Sequence, residues 1–71
     1  MLVDFVTVKG EKVTINALKI LYAVLNEKKN IVTIWLDSGD FFDINYEEFI
    51  ALKSRITSFP FTTHLSKNTN S

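Results

Sequence analysis

His64 is the one imidazole of the chain, so acid–base or nucleophilic chemistry near neutral pH would have to run through it. It stands in a polar stretch, TTHLSKNTNS, and no serine of the chain is framed by the glycines of a nucleophile elbow. Asp37, Asp40 and Asp43 recur at every third position. A calcium loop places its ligands at alternate positions around a glycine and closes on a glutamate, so this spacing reads as turn and strand-edge carboxylates. Glu47 and Glu48 are neighbours, which turns them to different sides of a helix and suits the positive end of its dipole better than a paired acid and base. With no cysteine and a single histidine, the chain lacks the ligand set of a zinc site. Gly10 and Gly39 stand alone rather than in a phosphate-cradling loop. No catalytic residue, metal or cofactor is expected, and the sequence reads as that of a protein that is not an enzyme.

Recognition is the chemistry that remains. Two basic groups stand out, Lys28 with Lys29, and Lys53, Arg55 and Lys67 near His64, Asn68 and Asn70. The second group could contact phosphates, with its amides reaching base edges. Eight basic and eight acidic side chains give a formal net charge of +0, however, and hence no long-range pull on a nucleic acid. Trp35 shares a strand face with Ile31 and Thr33, and Phe41, Phe42, Phe49, Phe59 and Phe61 add an aromatic set. Stacking on single-stranded bases needs basic neighbours. Here the neighbours are the three aspartates, so these rings are expected in the core.

The elements that must position these residues follow from periodicity and turn signals. Residues 2–8 are β-branched and aromatic and predict a strand; Lys9-Gly10 predicts a turn, and residues 12–15 alternate to complete a hairpin. Asn16-Ala17 breaks the pattern. Residues 18–25 read as a strand apolar on both faces, with Ile20, Tyr22 and Val24 on one and Leu21, Ala23 and Leu25 on the other; a short helix through Ala17, Leu18, Leu21 and Leu25 is the competing reading. Leu18, Ile20, Tyr22 and Val24 are on that basis the candidate interface residues. A polar loop over 26–30 leads to strands at 31–36 and 41–44, joined by the turn Asp37-Ser38-Gly39-Asp40. Asn45 is placed to cap a helix over about 46–57, with Glu48 completing a variant capping box. Tyr46, Phe49, Ile50, Lys53 and Ile56 follow helical spacing, with Lys53 at the edge of the apolar stripe, and Phe59-Pro60 stops the helix. The expected fold is α+β and mainly β, an antiparallel meander of four to five strands with one C-terminal helix. It forms a single domain over 1–61, followed by a polar tail over 62–71.

A chain of this size buries only about 60% of its unfolded surface, so a homodimer is expected to help it. No apolar run approaches the ~20 residues of a membrane span, and the start, MLVDFV, lacks the basic and apolar regions of a signal peptide. The expected location is the cytoplasm.

The order of features resembles the LytTR-type DNA-binding domain of bacterial response regulators. The matching pieces are Lys9-Gly10, Ile20-Leu21-Tyr22, Asn30 through Thr33-Ile34, Gly39, the helix from Tyr46, and then Phe61, His64, Ser66 and Asn70 at the offsets of that family. The resemblance implies a regulatory module that contacts DNA through Lys53, Arg55, His64, Ser66, Lys67 and Asn70. Thr63 and Leu65 flank His64 where the family carries arginines, and the family continues into further strands and a closing helix. Gly10, Asn16-Ala17, Thr33-Ile34 and Gly39 also resemble the flagellar FlbD-like proteins. Gly10-Glu11-Lys12 and Glu47-Glu48 resemble the carbon storage regulator, but Tyr46 stands in the place of its RNA-contacting arginine. Two functions are thus in view. One is a DNA-binding regulator; the other is a protein-interaction or assembly module acting through a sheet edge or a homodimer surface.

Overall fold

A computed structural model describes residues 1–56 and shows a mainly β protein with one helix. Its elements are β1 (Leu2–Val6), β2 (Lys12–Asn16), a 3-10 turn (Ala17–Lys19), β3 (Ile20–Asn26), β4 (Ile31–Leu36), β5 (Phe41–Asn45) and α1 (Tyr46–Arg55). The meander is divided into two antiparallel sheets, β1–β2 and β3–β4–β5. The division falls at Asn16-Ala17. Asn16 accepts a hydrogen bond from the Leu18 N–H at 3.0 Å and so caps the 3-10 turn, while Ala17 is buried and donates its N–H to the Met1 carbonyl at 2.7 Å. The strand expected over 18–25 therefore begins two residues late, and Leu18 sits on the turn with its side chain in solvent.

The two sheets meet at their other ends. Val8 N–H donates to the Asp43 carbonyl at 2.9 Å, and the ring of Phe5 packs edge-on against Phe42 with centroids 5.6 Å apart. Buried Thr7 holds the first turn, its hydroxyl oxygen accepting from the Lys9 and Glu11 N–H groups at 3.2 Å each. That turn passes through Gly10 at φ 86° and the β4–β5 turn through Gly39 at φ 95°, a region that a Cβ disfavours.

One layer of apolar side chains fills the interior. Val32, Ile34 and Leu36 from β4 alternate with the exposed side of that strand, and meet Ile44 from β5, Ile20 and Ala23 from β3, and Val3 and Phe5 from β1. Helix α1 closes this layer with Phe49 and Leu52, both fully buried, and Ile56 follows at its C-cap. The stripe differs from the expected one: Leu52 takes the place of Ile50, which is exposed. Phe49 and Ile50 lie about 100° apart around the helix, and α1 settles with Phe49 inward, packing on β1, β4 and β5. It also ends at Arg55 rather than at 57.

The capping expectation is corrected too. Asn45 has the extended backbone of an N-cap but makes no side-chain cap bond. Glu48 reaches across to β1 instead and accepts the Val6 N–H at 2.9 Å.

Loss of Leu52 opens a cavity where two sheets and a helix meet, whereas Ile50 touches solvent. Leu52→Ala is expected to cost about 2–5 kcal/mol and Ile50→Ala no more than about 0.5 kcal/mol. Urea unfolding followed by circular dichroism measures both, and equal costs would contradict this placement of the helix.

Candidate interaction surface

Helix α1 covers one side of the three-stranded sheet, and the register decides what the other side presents. Along β4 the residues facing away from the core are Ile31, Thr33 and Trp35. Tyr22 of β3 and Phe41 of β5 both stand beside Trp35. Val24 and Asp43 flank Thr33, and Asn26 and Asn45 flank Ile31 in the same way. The result is a row of three rings across three strands. Tyr22 and Trp35 have centroids 6.2 Å apart at 34°, and Trp35 and Phe41 4.7 Å apart at 43°. Cross-strand aromatic neighbours of this kind stabilise one another as well as the sheet.

The row is open to solvent at both ends, with Tyr22 48% and Phe41 53% exposed. Beside it the face turns polar: the Thr33 hydroxyl donates to the Asp43 carboxylate at 2.5 Å. No lysine or arginine belongs to β3, β4 or β5, so the single charge of these strands is Asp43. The face can therefore bury rings against an apolar surface and offer acceptors at its border, but it supplies no phosphate contact.

The candidate residues divide unevenly over the structure. Tyr22 and Val24 are on the open face, and Leu18 is exposed on the preceding turn. Ile20 is not with them. A bulge between Ile20 and Tyr22 interrupts the alternation, so that Leu21 and Tyr22 both turn outward and Ile20 is buried in the core. Lys53 and Arg55 lie on α1, away from this face. The Lys53 ammonium sits 5.8 Å from the Phe49 ring centroid, and Arg55 Nη1 donates to the Asp4 carbonyl at 2.6 Å. His64, Ser66, Lys67 and Asn70 lie outside the described residues.

The acidic residues are engaged separately. Asp37 faces Lys19 at 3.8 Å in an exposed ion pair, Asp40 accepts from the Ser38 hydroxyl at 2.9 Å, and Asp43 is held by Thr33. Among the described residues no cluster of three metal-ligating side chains forms. An open groove of about 610 Å³ runs along β1. Apart from Lys12, its polar side chains bond one another or its backbone: Asp4 with Thr14 at 2.7 Å, Glu48 with Val6, and Arg55 with Asp4. No helix of the described residues is long and apolar enough to cross a membrane.

Trp35 and Phe41 are the members of the face that the sequence reading assigned to the core. The signal was present: in FFDIN the ring of Phe41 shares a side with Asp43 and Asn45, and that side cannot be the buried one. The chain matches no protein-family model, no curated protein and no solved structure.

Because both outer rings are half in water, Tyr22→Ser and Phe41→Ser are each expected to lower stability by about 0.5–1.5 kcal/mol, well short of a core deletion. Each should also make the single tryptophan, Trp35, easier to quench with acrylamide. A loss comparable to that of Leu52→Ala would place these rings in the core.

Proposed function

We propose that the chain is a non-catalytic protein-interaction module that binds a protein partner through the open face of its three-stranded sheet. The observation that carries this reading is the row Tyr22–Trp35–Phe41, presented to solvent beside the polar pair Thr33–Asp43. Rigid aromatic anchors next to satisfied polar groups make up the core and rim of a protein interface. The three rings stack on one another on paired strands, Trp35 with a ladder on each side, so little side-chain freedom is lost when a partner covers them.

The face favours a partner with an apolar patch bordered by a hydrogen-bond donor or a cation, which would meet Asp43. Nucleic acid is a poorer fit, because stacked bases bring phosphates and the three strands offer no cation to meet them. The regulatory reading that follows from the LytTR resemblance rests instead on Lys53, Arg55, His64, Ser66, Lys67 and Asn70, of which the last four lie outside the described residues.

Affinity capture from the cell of origin, with the wild-type chain and with Tyr22→Ser and Phe41→Ser on the same support, tests the proposal. A protein retained by wild type in stoichiometric amount and lost with either variant is the expected result. Equal retention by all three overturns it. So does saturable binding of random duplex DNA at low salt that survives both sheet variants and is lost with Lys53→Ala and Arg55→Ala.

A further inference from the structure

The row Tyr22–Trp35–Phe41 runs across the strands rather than along one of them, and that direction narrows what can cover it. Tyr22 and Phe41 stand on the two outer strands with Trp35 between them. Two strand spacings separate the outer pair, roughly 9–10 Å, a distance that the centroid steps of 6.2 and 4.7 Å span. A polyproline II segment rises about 3.1 Å per residue with three residues per turn, so its residues i and i+3 share one face about 9 Å apart. That is the spacing of the outer rings. In an extended strand the residues of one face recur about every 6.8 Å, which brings no second residue over the second outer ring.

Hydrogen bonding separates the remaining candidate. Residues i and i+7 of an α-helix, about 10.5 Å apart, match the length of the row. The rings, however, carry donors. Neither the Trp35 indole N–H nor the Tyr22 hydroxyl has a hydrogen-bond partner among the described residues, and the indole nitrogen is not buried. A helix has its carbonyls engaged in its own ladder. A polyproline II segment has no internal hydrogen bonds, so every carbonyl is free, and its prolines bring no N–H that the face would have to satisfy.

Charge completes the match. At the end of the sheet where the row lies, Asp37 and Asp40 of the turn, Asp43 of the face and Glu11 beside Phe41 stand against Lys9 and Lys19, and Lys19 is already paired with Asp37. A recess of about 110 Å³ adjoins Phe41 and is lined by Asp43 and Glu11 as well as Lys9. A cation on the ligand is favoured there and an anion is not.

We propose that the face binds a proline-rich segment of another protein, held as a polyproline II helix across the three strands. Prolines three apart rest on Tyr22 and Phe41, ligand carbonyls accept from Trp35 and Tyr22, and a basic residue lies beyond the Phe41 end. Such a segment is ordered before it binds, which lowers the entropy lost on association. This inference rests on the face reading above and names the class of partner.

Titration of the full chain with synthetic peptides, followed by the fluorescence of its single tryptophan, tests it. The probe is Ala-Pro-Pro-Ala-Pro-Pro-Ala-Arg. A saturable change is expected below millimolar peptide, and none with the peptide in which every proline is replaced by alanine. Tyr22→Ser and Phe41→Ser should each weaken binding by about 2- to 13-fold. Glutamate in place of the peptide's arginine should weaken it by up to about 5-fold. That difference should vanish in Asp43→Asn, which keeps an acceptor for Thr33. The peptide series on wild type decides the matter should a variant not fold. No saturation at millimolar peptide overturns the proposal, as do equal binding of the alanine peptide and binding that neither Tyr22→Ser nor Phe41→Ser weakens. A chain that ignores the peptides but loses its captured partner with Phe41→Ser removes this inference alone and leaves the face reading standing. A chain that ignores the peptides and whose captured partner is indifferent to both sheet variants removes both.

Discussion

One short helix has to close two sheets, and most of the molecule follows from that. Phe49 and Leu52 are its fully buried residues, and they reach β1, β4 and β5 together. A single ten-residue helix covers one side of a sheet and no more. The covered side of β3–β4–β5 becomes the core, and its other side has nothing in the described chain to lie under. Among the described residues that side faces water, and its aromatic row packs only along the sheet surface. The separation shows in the alternation of β4, where Val32, Ile34 and Leu36 are buried and Ile31, Thr33 and Trp35 are not.

Helix position in turn decides what becomes of the charged residues. With Phe49 inward, Glu48 and Arg55 are brought to the free edge of β1, where each meets a backbone group of opposite polarity. A charged side chain bonded to an otherwise unpaired strand amide or carbonyl removes that group from competition by other chains. The same two contacts tie one N–H of Arg55 to β1 and draw Glu48 away from the role of a helix cap. Neither outcome can be read from residue spacing along the helix, because both depend on a strand more than forty positions earlier in the chain.

Much of the fold was legible because its signals are local. The period-two pattern of β4, the glycines at 10 and 39, and the change from strand to helix after Asn45 each announce themselves within a few residues, and each is where the structure has it. The interface candidates were legible only in part. Tyr22 and Val24 lie on the open face as the alternation implies, but the bulge after Ile20 shifts the phase by one residue, and a pattern of period two has no way to register an insertion whose partner strand is elsewhere. Ile20 consequently exchanges places with Leu21. Trp35 and Phe41 were misassigned for a different reason. Large rings are buried on average, and that average outweighed the plainer evidence of Asp43 and Asn45 on the same side of the strand.

The bulge itself shapes the open face. Regular pleating through Ile20–Asn26 would have alternated the apolar side chains evenly between core and water. The extra residue places Leu21 and Tyr22 side by side on the outside, next to Leu18 on the turn. The apolar area thus gathers at the β3 end of the ring row. Ala23 and Leu25 resume the regular pleat beyond the bulge, so the slip of phase is confined to that end. A segment lying across the strands then meets apolar surface past Tyr22 and the half-exposed ring of Phe41 at the other end, so the row is apolar along its length and polar along its Thr33–Asp43 flank.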